Sequence, residues 1–170
     1  CGLRSASATQ TAAAPEGWSI FTSAACRYQI SYPPGAVENG DDPGCCYARF
    51  DLPLIDPDTN LGEKFLEVYA RSDETECQAP TLSAIQGGPP VTREIGGEIF
   101  LVESGGDAGA GNYFDWTAYS TMAGDVCVSL VFTLHATNAL FYDPPIEEYD
   151  AVAESALFEQ MVATFAWLAP

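Results

Sequence analysis

The sequence predicts an α+β fold, an antiparallel β-sheet with a C-terminal helix packed on its face. Three observations lead there. Successive short segments alternate apolar and polar side chains at the two-residue period of a half-buried strand. Clusters of Gly, Pro, Asn and Asp separate them, as turns between antiparallel strands require. Only the end of the chain, residues 149–165, changes to helical spacing.

Taken in order, residues 18–21 and 27–32 alternate around a short polar link and predict a hairpin, which Pro33-Pro34-Gly35 ends. Residues 38–44 are turn chemistry throughout, and residues 46–54 offer a third strand. A fourth follows the turn at residues 56–60 and spans 64–71, with Leu66, Val68 and Ala70 on one face. Beyond Cys77 a stretch punctuated by Pro and Gly has room for one short helical turn near residues 81–85. Two short strands, 91–95 and 98–103, flank Gly96-Gly97, and a glycine-rich loop is expected over 105–111. Residues 114–122 and 125–135 predict long paired strands with a tight turn at Ala123-Gly124. In the final helix Val152, Ala156, Met161 and Phe165 are expected on the buried face, with acidic residues crowding the start where the helix dipole favours them.

The chain has 170 residues, which favours one globular domain over residues 18–170 behind a linker at 1–17. Lys and Arg total 6 against 24 Asp and Glu, a net charge of −18, which repels a phosphate backbone and argues against a nucleic-acid partner. Lys64 is the one lysine, and the arginines at 4, 27, 49, 71 and 93 form no basic cluster to grip anionic lipid. Membrane contact is therefore expected only through a covalent anchor.

Cys1-Gly2 fits the mature start of an exported lipoprotein, where the cysteine thiol receives a diacylglycerol. Residues 5–17 are small and uncharged except Glu16, and read as a tether. In an extracytoplasmic setting the remaining Cys26, Cys45, Cys46, Cys77 and Cys127 are disulfide candidates. The expected pairing joins Cys26 to Cys45 or Cys46 and Cys77 to Cys127, leaving one thiol over. Zinc is disfavoured, because no C-x-x-C pair exists and the chain has a single histidine.

Four constellations could carry chemistry. Asp56-x-Asp58-x-Asn60, with Glu67 eleven residues after Asp56, resembles a calcium loop, although Gly62 falls one residue late for its sharp turn. A solvated turn explains the same residues. His135 lies at a strand end with no nucleophile motif around any serine, so a structural histidine is expected. Glu147, Glu148, Asp150 and Glu154 could pair as carboxylates but are also the acids a helix start favours. Tyr113, Phe114, Trp116 and Tyr119 could edge a binding surface, or simply alternate along a half-buried strand.

The strand Tyr28-x-Ile30-Ser31-Tyr32-Pro33, together with Phe158-Glu159-Gln160-Met161-Val162-Ala163-Thr164-Phe165 near the end, resembles bacterial lipoproteins with a PsbP-like domain. The resemblance covers most of residues 18–168 in order. It departs where Val37 replaces a usual Trp, and the cysteine set is this chain's own. It implies an antiparallel sheet with helices on its faces and a role in docking or ligand binding rather than catalysis. The expected function is thus a non-enzymatic cell-envelope lipoprotein that docks on, or is part of, an extracytoplasmic protein assembly, by a protein partner or self-assembly. The alternative is a membrane-tethered ligand- or calcium-binding domain without other cofactors; a hydrolase built on His135 ranks last.

Overall fold

The computed structural model describes residues 13–42, 46–80 and 85–169. Eleven strands and one α-helix appear in the order β1 Ser19–Ser23, β2 Tyr28–Tyr32, β3 Val37–Asp42, β4 Tyr47–Asp51, β5 Leu61–Arg71, β6 Ile85–Gln86, β7 Val91–Ile95, β8 Glu98–Gly109, β9 Asn112–Ala123, β10 Val126–Thr137, α1 Ala151–Val162 and β11 Ala166–Trp167. The fold is α+β, as the alternating and helical periods predict. A large sheet has the order β3-β4-β5-β10-β9-β8-β6, with β7 also paired to β8. A small sheet, β1-β2-β11, lies against one face of it together with α1.

Two-residue alternation decides which side chains make the core. Along β10 the even-numbered Val128, Leu130, Phe132 and Leu134 face α1 and the small sheet, and all are buried. Phe132 stacks on Phe158 of α1 with ring centroids 4.4 Å apart, and Phe50 of β4 meets Phe21 of β1 edge-on at 5.3 Å. Phe165, just before β11, bridges Tyr28 and Phe100.

The opposite face of the large sheet is partly covered by the strap 77–80. Cys77 is bonded to Cys127, Ala79 N–H donates to the Glu103 carboxylate at 2.7 Å, and the Ser129 hydroxyl donates to the Gln78 carbonyl at 3.1 Å. Beneath the strap Trp116, Ala118 and Val131 form a second, smaller apolar cluster. A second disulfide, Cys26–Cys46, ties the β1–β2 turn to the start of β4. The choice between Cys45 and Cys46 falls on Cys46, and Cys45 lies outside the described residues.

Several sequence expectations need correction. Residues 37–42 form strand β3 rather than a turn; it is an edge strand whose turn-like residues are absorbed by a register shift between Glu38 and Asp41 and by Gly40 at φ +76°. The expected glycine-rich loop is mostly strand, since β8 continues to Gly109 and only Ala110-Gly111 turn. Pairing with β9 overrides the low strand propensity of these glycines. The helical turn near 81–85 falls on residues 81–84, outside those described, while Ile85 begins β6.

The helix face differs most. Met161 and Phe165 are buried as expected, Phe165 beyond the end of α1, but Val152, 83 % exposed, and Ala156 face outward, and Glu154, Phe158 and Val162 are buried instead. The rotation follows from an ion pair between Lys64 and Glu154 that apolar periodicity cannot register.

Candidate functional site

Strand β9 presents alternate side chains to the two faces of the large sheet. Tyr113, Asp115, Thr117 and Tyr119 share the face that carries α1, and because the helix covers only part of it, a groove runs beside β9. The wider part is an open cleft of about 780 Å³. Its floor is Gly106, Ala108, Tyr113 and Asp115, and its wall is the segment Glu148-Tyr149 leading into Ala151. A narrower part of about 530 Å³ continues past Thr117 and Ala151, which line both, to Tyr119, Ser155 and Glu159. There Arg93 of β7 pairs with Glu159 of α1, joining the sheet edge to the helix.

Local sequence explains this shape. Gly106 stands opposite Asp115 in the β8–β9 register, and a Cβ there would approach the Asp115 carboxylate to 3.1 Å. Small residues Ala151, Ser155 and Ala156 keep the helix wall low. Asp150 caps α1, accepting the Val152 and Ala153 N–H groups at 2.9 and 3.1 Å. Tyr149 is held by its own N–H, which donates to Asn60 Oδ1 at 2.9 Å, and by its hydroxyl, which donates to Asp115 Oδ2 at 3.2 Å. That hydroxyl is pushed up to about 12, first by burial and then by the neighbouring Asp115 carboxylate. Burial likewise raises the Tyr119 hydroxyl, with Glu159 adding to it.

Next to Asn138 and Ala139, which line the cleft, a group of apolar side chains stands in water. The 3₁₀ turn Ala139–Phe141 follows β10; Leu140 is 76 % and Phe141 71 % exposed, and the Phe141 ring lies over Gly111 in the β8–β9 turn. Tyr113, Tyr142 and Val152 are exposed as well. Sequence reasoning missed this group. Its signal was there as three consecutive large apolar residues, Leu140-Phe141-Tyr142, in a loop with no periodicity to bury them.

The predicted site residues separate. Tyr113 and Tyr119 face the groove, while Phe114 and Trp116 face the strap side, so the four aromatics do not make one surface. Trp116 and Tyr119 are buried. In the calcium-like loop Asp56 Oδ1 accepts the Asp58 N–H at 2.9 Å, closing a turn. Asn60 is buried and spends both ends of its amide on Thr137 and Tyr149, and Glu67 lies on the opposite sheet face accepting from Tyr47. Among the described residues no group of three or more His, Cys, Asp or Glu is placed to share a metal ion. His135 stacks on Phe114 at 4.2 Å, with Nδ1 3.1 Å from Glu63 and Nε2 2.9 Å from Asn112, and no nucleophilic side chain is among these partners. Of the four clustered acids, Glu148 lines the cleft, Asp150 caps the helix, and Glu154 is buried against Lys64. Cys1 lies outside the described residues.

Two disulfides fit an oxidising, extracytoplasmic compartment. Among the described residues no helix is long and apolar enough to cross a membrane. No family model matches the sequence, and no curated protein does. Among solved structures, a protein from Bacteroides thetaiotaomicron VPI-5482 is similar, with a TM-score of 0.58 and 13 % identity over 90 % of this chain and 49 % of that one. The chain thus spans about half the length of that structure, and at this identity the likeness shows the fold alone.

Proposed function

We propose that this chain is a non-enzymatic binding domain of the cell envelope that docks on a protein partner through the groove beside β9 and the apolar group next to it. The observation that carries it is that group. Leu140 and Phe141 are among the most exposed large apolar residues described, and with Tyr142 they directly follow Asn138 and Ala139, which line the preformed cleft together with Tyr113. Absence of catalysis is part of the proposal. A photo-crosslinking residue at position 141, in cells of the native organism, is expected to give one discrete adduct, while the same residue at exposed Ile20 in β1 gives none. A folded, exported protein with no adduct at 141 overturns the docking reading.

The finer location belongs to the same proposal: a diacylglycerol on Cys1, with residues 1–17 as the tether. The composition of residues 5–17 supports it. Intact mass of the natively expressed protein decides it, and an unmodified Cys1 removes the anchor. A second reading, a small-ligand domain, is favoured by the cleft volume of about 780 Å³, within the range of small-molecule sites.

A further inference from the structure

We infer that the groove between α1 and β9 receives an extended, lysine- or arginine-bearing segment of the partner protein, an inference that rests on the docking reading above. Shape comes first. Tyr113, Asp115, Thr117 and Tyr119 lie on one face of β9 at every second residue, so the floor runs straight for roughly 20 Å, the length of an extended segment of about six residues. Along the β8 edge, β7 pairs residues 98–102 and β6 residues 105–106, so over most of the floor's length the segment lies in the groove as a chain against side chains rather than extending the sheet.

Charge selects the segment. Among the described residues lining the wide cleft, Asp115 and Glu148 bring carboxylates to the groove, and none is Lys, Arg or His. The lysine that might have neutralised them, Lys64, is buried and paired with Glu154. A chain of net charge −18 adds a long-range attraction of the same sign. Tyr113 and Tyr149 stand beside Asp115 and Glu148, so an ammonium or guanidinium finds carboxylates and aromatic faces together. The apolar group at Leu140 and Phe141 supplies the burial that a purely charged contact lacks.

The test uses the full oxidised chain and three blocked peptides of about seven residues, alternating Leu with Lys, with Gln or with Glu. Binding is followed by calorimetry at physiological salt and by NMR shift mapping. The Lys peptide is expected to bind with shifts on β9 and the first turns of α1, and the Gln and Glu peptides at least about tenfold more weakly. The double variant Asp115→Asn, Glu148→Gln is expected to lose about tenfold for the Lys peptide. Full affinity in the double variant overturns the inference, because the attraction then belongs to the whole acidic surface. Equal binding of the Gln peptide overturns the charge class and leaves docking standing. Failure of every peptide also overturns it, and the crosslink at position 141 then judges docking alone. Should the variant melt early, the shift map on the parent chain decides, and shifts away from β9 and α1 overturn the assignment.

Discussion

Lys64 and Glu154 meet in the core, a β5 ammonium against an α1 carboxylate, with side chains 1 % and 3 % exposed. The other oxygen of Glu154 accepts the Ile55 N–H at 2.9 Å, so both lone charges are satisfied and the start of the helix is pinned to the sheet. Removing one partner leaves an unpaired buried charge. Lys64→Met or Glu154→Leu is expected to cost roughly 3–5 kcal/mol in denaturant unfolding, whereas the double change Lys64→Met, Glu154→Leu recovers most of it. Additive losses in the double variant would mean that the pair is not coupled.

Four tyrosine hydroxyls, at 47, 69, 119 and 149, give the protein an alkaline limit. Burial comes first among the causes in each, and pushes Tyr47 and Tyr149 up to about 12 and Tyr69 and Tyr119 upward as well. Their ordinary value is 10, so the folded chain holds these protons more tightly than the unfolded one. The stability this confers is complete below pH 10 and is lost as pH rises through about 12. Tyrosinate absorbance should show at least these four hydroxyls ionising late in the native protein, with all eight tyrosines ionising near 10 in denaturant.

Cys77 and Cys127 are separated by 50 residues, and by loop entropy alone their bond stabilises the fold by about 4 kcal/mol. Cys77→Ser, Cys127→Ser should lower the unfolding free energy by about that amount. It should also raise protease sensitivity in the strap 77–80, which the bond holds over Trp116 and Val131. Unchanged strap cleavage would place the anchoring in the Glu103 and Ser129 hydrogen bonds instead.

The helix face can be checked by substitution. Val152→Glu should change stability by less than about 0.5 kcal/mol, since the side chain is exposed near the helix N-terminus, where a carboxylate is tolerated. Phe158→Ala, which removes the ring stacked on Phe132, should cost roughly 3–5 kcal/mol. The opposite ranking would restore the face that apolar spacing predicts.

Strand alternation makes most of the large sheet legible in the sequence. The β9–β10 pair, with Val128, Leu130 and Phe132 on one face, follows directly from it. Less legible were features set by partners distant in sequence. β3 is a strand because β4 offers it an edge, and residues 105–109 extend because β9 does. The helix turns Glu154 inward because Lys64 waits 90 residues earlier. At the site, periodicity marks the aromatics of β9 but not which neighbour covers each face, so Tyr113 and Trp116 read alike until α1 and the strap are in place. Cys45 and Cys46 were indistinguishable for the same reason, since only the approach of the β1–β2 turn chooses between them.

The two disulfides close the chain into separate rings, residues 26–46 and 77–127, and the groove straddles the boundary of the second. Its floor, β8 and most of β9's neighbourhood, lies inside that ring, while α1 belongs to a tail that never returns covalently to the sheet. In the oxidised protein the helix side of the groove is therefore held by noncovalent contacts alone, the Lys64–Glu154 pair among them, while the floor also lies within a covalent ring. Native-state hydrogen exchange should report this as a gap between α1 amides and β9 amides, and anything lodged between them would narrow it by fastening the unsewn side to the sewn one.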